Sequence, residues 1–348
     1  MARAELIDVA VVGVGRMGRH HARVYAQHAE ANLVAIVDED AQRANTVADE
    51  YGCAAYLCID DLLRTYPRLR AATVAVPTVS HVPVAEALVE RGVACLVEKP
   101  LAPTADEARE LAEFAQRHDV ILQAGHTERF NPALQAVQAM NITPRFMEVV
   151  RISPMTFRSL DVSVVMDVMI HDLDIVLMLA GAPVERIDAA GVAVLGEYED
   201  VANVRLTFTS GCVANLTASR LALKTDRRMR LFSETAYVSL NYMRRTGIVI
   251  HKTDNQDTLA TIRARIAAGE DLSDLDYSQL VQHTELTMGD DQQADPLTME
   301  LTEFLSAVRE NRPPTVDADA GVAAVEAAQQ VIAAIKQHHW EGLTSSHV

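Results

Sequence analysis

The N-terminal eighteen residues constrain this chain more than any other stretch. Residues 7–12, IDVAVV, are a short apolar run rich in β-branched side chains, the pattern of a buried strand. The run ends on Gly13-Val14-Gly15-Arg16-Met17-Gly18, and a helix-like stretch follows to residue 29. A second apolar run, residues 32–37, ends on Asp38, which lies 20 residues beyond Gly18. Strand, glycine turn, helix, strand and acid in that order are the context a dinucleotide-binding βαβ unit demands. Gly13 allows the tight turn, Gly15 lets the backbone approach a pyrophosphate, and Gly18 lets helix and strand pack closely. The helix N-terminus, opening on Arg16 and Met17, offers N–H donors and positive potential to phosphates. Asp38, followed by Glu39, accepts from ribose hydroxyls and repels a 2′-phosphate, so the expected cofactor is NAD rather than NADP.

The rest of the chain divides by rhythm. Further strands at residues 72–76, 94–97 and 120–124 alternate with Ala/Glu/Arg-rich helices. Such alternation predicts a doubly wound α/β domain with a parallel sheet over residues 1–124. Beyond it, residues 146–152, 184–194, 201–209, 212–219, 228–232 and 237–240 read mostly as strands joined by short turns such as Ser210-Gly211. They predict a second α/β domain over residues 125–348, with a mostly antiparallel open sheet and the helix of residues 161–180 lying against it. Residues 253–295 are polar and acidic and predict a helix and loops. Two closing helices, residues 299–310 and 321–339, are split by Pro313-Pro314. The last is expected to return to the first domain. A length of 348 residues favours two domains over one core.

Composition removes several classes of function. A formal net charge of −17 argues against nucleic acid or an anionic membrane as partner. Much of the acid, as in EDLSDLDYSQL, reads as a solvated face. No run of about 18 apolar residues lacks charge, so no membrane span is expected, and the N-terminus does not read as a signal peptide. Cys53, Cys58, Cys95 and Cys212 form no CxxC and pair with no nearby histidine. The expectation is a reduced, cytoplasmic protein without a metal site.

Three further places carry candidate chemistry. Pro77 and Thr78 follow a sheet strand at its carboxyl end, where open α/β sheets bind ligands, and are expected to line the cofactor channel; His81 close behind either joins them as a cofactor contact or simply begins the next helix. Glu98-Lys99-Pro100 ends another strand at the same edge, where Glu98 and Lys99 are expected to meet the cofactor. A lysine there can hydrogen-bond a substrate hydroxyl and stabilise developing oxyanion charge. The alternative is a surface lysine paired with Glu98. The third place is DVSVVMDVMIHDLDIVLMLA, residues 161–180, an apolar helix pattern with ionisable groups in it. At about 100° per residue, Asp167, His171 and Asp174 share one stripe about 60° wide. Carboxylates flanking an imidazole on a rigid face can orient it and tune it for proton transfer. A satisfied structural network is the competing reading, and Asp172 lies off the stripe.

Taken together, GVGRMG, EKP and the DVMIHDLD helix resemble the Gfo/Idh/MocA oxidoreductases. The likeness extends over nearly the whole chain, through the VPT turn, GHTERFNP at residues 125–132 and the two closing helices, with residues 253–295 standing outside it. It implies an N-terminal Rossmann domain and a C-terminal domain whose open sheet makes dimer or tetramer contacts. It also implies Lys99, Asp167 and His171 as the catalytic set. Within the family, Glu128-Arg129-Phe130-Asn131-Pro132, Arg151-Ile152-Ser153-Pro154 and the run from Arg158 to Asp167 are similar to the UDP-N-acetylglucosamine 3-dehydrogenases. That narrower likeness implies a nucleotide-sugar substrate, with Arg129 and Arg158 as charge-assisted contacts to its diphosphate and Asn131 beside them. Other classes remain open at this point: a dehydrogenase of inositol, a free sugar or a dihydrodiol; an NAD-dependent glycosidase; a non-catalytic NAD-binding scaffold.

Overall fold

The computed structural model describes residues 6–155, 162–276, 281–287 and 295–338. It divides into two compact units, Met1–Phe130 with Ala294–Gln329, and Asn131–Gln293 with Gln330–Val348.

The first unit is built on β1 (Ile7–Val12), β2 (Ala31–Val37), β3 (Ala54–Tyr56), β4 (Ala71–Val74), β5 (Ala94–Glu98) and β6 (Leu122–Gly125). All pairs are parallel, in the order β3-β2-β1-β4-β5-β6. Between them run α1 (Arg16–Gln27), α2 (Ala41–Tyr51), α3 (Ile59–Thr65), α4 (His81–Val89) and α5 (Ala105–Arg117). Near-continuous apolar strands such as IDVAVV and ACLVE are what a sheet covered on both faces requires. The three-residue β3 is too short to show a strand period, which is why its pattern in the sequence is silent.

In the second unit, α6 (Pro132–Ala139) precedes β7 (Phe146–Ile152), a π-helical turn (Val165–Met169) and α7 (Ile170–Ala180). Then come β8 (Val184–Val192), β9 (Val201–Phe208), β10 (Val213–Ser219), β11 (Asp226–Phe232), β12 (Ala236–Asn241), β13 (Thr246–His251), α8 (Gln256–Ala267) and β14 (Thr284–Thr287). The sheet order is β14-β13-β12-β11-β7-β10-β9-β8, and only the β7–β10 pair is parallel. The central strands alternate buried and half-exposed residues, one face covered and one open, as antiparallel sheets allow. β13 and β14 were not expected as strands. Gly247 weakens the β13 pattern, although a Cβ there would meet Leu240 Cδ2 at 2.7 Å. The edge strand TELT has no apolar alternation at all.

Two helices close the chain, α9 (Pro296–Glu310) and α10 (Ala318–Gln337). Asp295 caps α9 by accepting from Thr298 N–H at 3.2 Å, and Pro296 suits the first turn, so the helix starts earlier than its apolar pattern. Its Leu297, Leu301, Phe304 and Leu305 share one core with Ile7, Val9, Val11 and Tyr25. The first unit is therefore larger than residues 1–124, taking in α9 and part of α10. In length and composition α10 could cross a membrane, but Ala324, Val325, Ala328 and Val331 are fully buried, as in a core helix.

One ion pair anchors α7 to its sheet. Arg151, on the covered face of β7, donates from Nε to Asp172 Oδ2 at 2.8 Å and from Nη2 to Oδ1 at 2.7 Å, with both side chains buried. Asp172 is thereby a structural acid. Removing one partner leaves the other as an uncompensated buried charge. We expect Asp172→Ala to lower the stability of this unit by about 3–5 kcal/mol, whereas Arg151→Met with Asp172→Leu stays close to wild type. Urea denaturation followed by circular dichroism distinguishes the two.

Candidate active site

The glycine loop is shaped by contacts at two of its glycines and by space at the third. Gly13 has φ +84°, and a Cβ there would lie 2.7 Å from the Ala75 carbonyl group. At Gly18 a Cβ would come within 1.8 Å of the Gly13 carbonyl oxygen. Gly15 faces open space, with nothing within 4 Å of a Cβ position. The first intrahelical bond of α1 runs from Arg19 N–H to Gly15 C=O at 3.2 Å, so the N–H groups of Arg16, Met17 and Gly18 have no intrahelical acceptor. Arg16 and Met17 are exposed. This is a cradle that fits a dinucleotide pyrophosphate: donors converge where the missing side chain leaves room.

Asp38 sits at the end of β2, buried, with both oxygens engaged. Oδ2 accepts from Val14 N–H at 2.9 Å and Arg43 Nε at 3.0 Å; Oδ1 accepts from Asp40 N–H at 3.0 Å and Arg43 Nη2 at 2.8 Å. Burial works to raise its pKa, but Arg43 and the two backbone N–H groups outweigh that and hold it below the usual carboxylate value. Asp38 thus ties the glycine loop to the second strand, in addition to any ribose contact. Neither Arg43 nor this use of the acid was foreseen. The available signal was an arginine in the first turn of α2, whose N–H donates to the capping Asp40.

At the ends of β4 and β5, Pro77 is exposed and Thr78 half-buried, opening a 3₁₀ turn, Thr78–Ser80. His81 is buried, with Nδ1 at 2.9 Å from the Pro100 carbonyl oxygen and Nε2 at 3.0 Å from that of Val76. Burial lowers its pKa against the pull of both carbonyls. Both ring nitrogens are engaged in joining two loops. Glu98 is likewise buried, and its Oε1 accepts from His21 Nε2 at 2.8 Å. It too ties elements of the protein to one another. Lys99, half-buried, follows it and precedes a cis peptide bond to Pro100.

Residues Thr127–Phe130 make a 3₁₀ turn in which Arg129 is half-buried. Asn131 is buried, and its Oδ1 accepts from Ala133 N–H at 3.1 Å as the N-cap of α6. That helix start employs the oxygen expected to meet substrate. Arg158 and Asp161 lie outside the described residues.

In the second unit Asp167 lies within the π turn, and Ile170 N–H reaches back to Val165 C=O. A straight α-helix was expected here. The wider turn rotates Asp167 relative to α7, an arrangement that recurs at functional sites. Asp167 and His171 are half-buried, while Asp172 and Asp174 are fully buried. Among the described residues no His, Cys, Asp or Glu cluster could hold a metal ion.

A parallel sheet in this strand order, a glycine cradle at the first helix and a lysine at the carboxyl edge define a Rossmann-type, NAD-binding oxidoreductase. Family models agree: the oxidoreductase family, NAD-binding Rossmann fold, matches residues 7–126, and the GFO/IDH/MocA C-terminal domain matches residues 145–239. The chain is 36% identical over 327 residues, 94% of itself and 96% of the relative, to a UDP-N-acetylglucosamine 3-dehydrogenase of Acidithiobacillus ferrooxidans. A solved structure of that organism's UDP-N-acetylglucosamine 3-dehydrogenase superposes with TM-score 0.82, covering 95% of this chain and 98% of the other at 34% identity. An inositol 2-dehydrogenase of Rhizobium meliloti is 26% identical over 71% of the chain and 79% of the relative. The chain belongs to the Gfo/Idh/MocA oxidoreductase family.

Two outcomes follow. Gly15→Val should leave the fold intact and weaken NADH binding at least tenfold, roughly the loss of one good contact, whereas Gly18→Ala should lower the melting temperature; NADH fluorescence titration and thermal melts read these apart. The depressed pKa values of Asp38 and Glu98 give a stability term that is present above their ordinary values and lost as pH falls through the folded values. The melting temperature should therefore hold from about pH 7 to 5 and fall below about pH 4. A melting temperature that is flat to about pH 3 would remove both groups from the account.

Proposed function

We propose that this protein oxidises the 3-hydroxyl of UDP-N-acetylglucosamine to a ketone. The observation that carries this reading is the end-to-end similarity to a UDP-N-acetylglucosamine 3-dehydrogenase, joined to the presence of Lys99, Asp167 and His171 in this sequence. NAD, held by the Gly13–Gly18 loop, supplies the hydride acceptor. His171 takes the proton from the substrate hydroxyl. Lys99 hydrogen-bonds the same oxygen and stabilises its developing negative charge. Asp167 orients the histidine or holds a neighbouring hydroxyl. Arg129 and Arg158 bind the diphosphate, offering the bidentate donors that such a group favours.

The protein is proposed to work as a cytoplasmic homodimer or homotetramer. In support, the open face of the second sheet carries a tilted aromatic group, Phe146, Phe232 and Tyr237, with ring centroids 5.5 and 5.1 Å apart. A second reading, inositol oxidation, is favoured by the similarity to inositol 2-dehydrogenase.

The test is to mix the purified protein with NAD and either UDP-N-acetylglucosamine or myo-inositol, following NADH absorbance and product mass. We expect NADH only with the nucleotide sugar, and a product lighter by two hydrogens. Turnover of inositol alone would overturn the substrate assignment. His171→Ala should lose about 10²–10⁴-fold in turnover with NADH binding retained; near-normal turnover would remove His171 as the base.

A further inference from the structure

His21 lies in the first turns of α1, three residues beyond Gly18, and is fully buried. Its Nε2 is 2.8 Å from Glu98 Oε1. Only an N–H can serve a carboxylate, so Nε2 carries the proton. His21 Nδ1 is also buried and has no hydrogen-bond partner among the described residues. The other Glu98 oxygen, Oε2, accepts from the backbone N–H of Lys99 at 3.3 Å. On the far side β6 closes in: a Cβ on Gly125 would lie 3.0 Å from Glu98 Cα. The carboxylate therefore has one fixed place.

An apolar pair would fill this volume without burying an imidazole that has one unsatisfied nitrogen, or an acid in a sheet core. Such groups persist where they fix a geometry that packing alone leaves open. The titratable groups acting on Glu98 are His21 from α1, Lys99 beside it and His81 from α4. Burial pushes the Glu98 carboxyl up, but the His21 hydrogen bond and the His21 and Lys99 charges bring it below its ordinary value.

We infer that His21 and Glu98 form a positioning pair for Lys99, tying the lysine's backbone and its ammonium charge to the helix that holds the cofactor's pyrophosphate. This rests on the reading of Lys99 as the residue that meets the substrate oxygen. The pair touches no substrate. It sets the lysine relative to the glycine loop and keeps an anion beside it.

The test compares Glu98→Gln, His21→Ala, His21→Gln and the double Glu98→Gln/His21→Ala variant in the full chain, with Lys99→Met as reference. The placement of Lys99 is read directly, without turnover, as its rate of trace acetylation with acetic anhydride at one fixed pH relative to the other lysines, by peptide mass analysis. In Glu98→Gln and His21→Ala that relative rate should change by at least about threefold, because the tie that places the lysine is lost. With NAD and UDP-N-acetylglucosamine, kcat should fall about 10- to 100-fold while NADH affinity changes less than about threefold, as expected for a displaced catalytic group. The double variant should be no worse than the worse single one, and His21→Gln, which keeps a donor, should recover part of the loss. Glu98→Gln is nearly isosteric and keeps the test valid if His21→Ala fails to fold. Unchanged Lys99 reactivity in both variants overturns the inference, whatever the turnover. Lys99→Met with near-normal turnover overturns the underlying reading of the lysine instead.

Discussion

The close approach of Gly18 to the Gly13 carbonyl oxygen determines where α1 begins, and much of the first unit follows from that position. A Cβ at 1.8 Å cannot be accommodated by adjusting a side chain, because the atom it meets is backbone. With α1 held against β1, its buried face presents His21, Ala22 and Tyr25 to the sheet interior. Tyr25 O–H then pairs with Thr73 Oγ1 on β4 at 2.9 Å, while His21 reaches Glu98 at the end of β5. The tight turn that admits a pyrophosphate also registers one helix against three strands. Burying these side chains is tolerable because each meets a partner at hydrogen-bond distance, with His21 Nδ1 the one atom of the set left over.

The second unit handles its polar groups differently. Its helix brings four ionisable side chains within eight residues, Asp167 to Asp174, and the fold separates them by depth. Asp172 goes inward to the fork of Arg151, while Asp167 and His171 stay half-buried. Arg220 and Asp200 repeat the device nearby: Arg220 Nε donates to Asp200 Oδ1 at 2.7 Å, and Asp200 Oδ2 gathers Val194 and Leu195 N–H groups. Charge pairs of this kind add little net stability over apolar residues, but they fix register and rotation strongly. A helix locked in rotation by Asp172 can hold His171 at one angle, and the role proposed for His171 needs that more than it needs extra stability.

Much of this was legible in the sequence, for identifiable reasons. The glycine loop, the parallel sheet and the lysine at its edge write themselves into spacing, since strand period, turn chemistry and helix start each leave a local mark. Asp172 could not be assigned that way, because its partner Arg151 lies 21 positions earlier on a strand. β14 escaped because a four-residue edge strand carries no apolar alternation, and β13 because Gly247 interrupts its pattern. The start of α9 was marked by Asp295-Pro296, a capping signal that apolar periodicity overlooks. The π turn at Val165–Met169 has no marker in composition at all.

The polar residues at the carboxyl edge of the first sheet bear on how such sites are read. Asp38, His81 and Glu98 all stand where ligands bind, and all three have side-chain atoms committed to the protein itself. Asp38 joins the glycine loop to the end of β2, His81 joins the end of β4 to the loop after β5, and Glu98 joins that loop to α1. Loops at an open sheet edge lack ladder hydrogen bonds, so without such ties they would be ordered only when ligand arrives. That ordering would be subtracted from the binding free energy. Holding the edge in place beforehand removes that cost from any ligand that binds there. A polar residue at a sheet edge is therefore as much a candidate tie as a candidate ligand, and burial of its functional atoms decides between them.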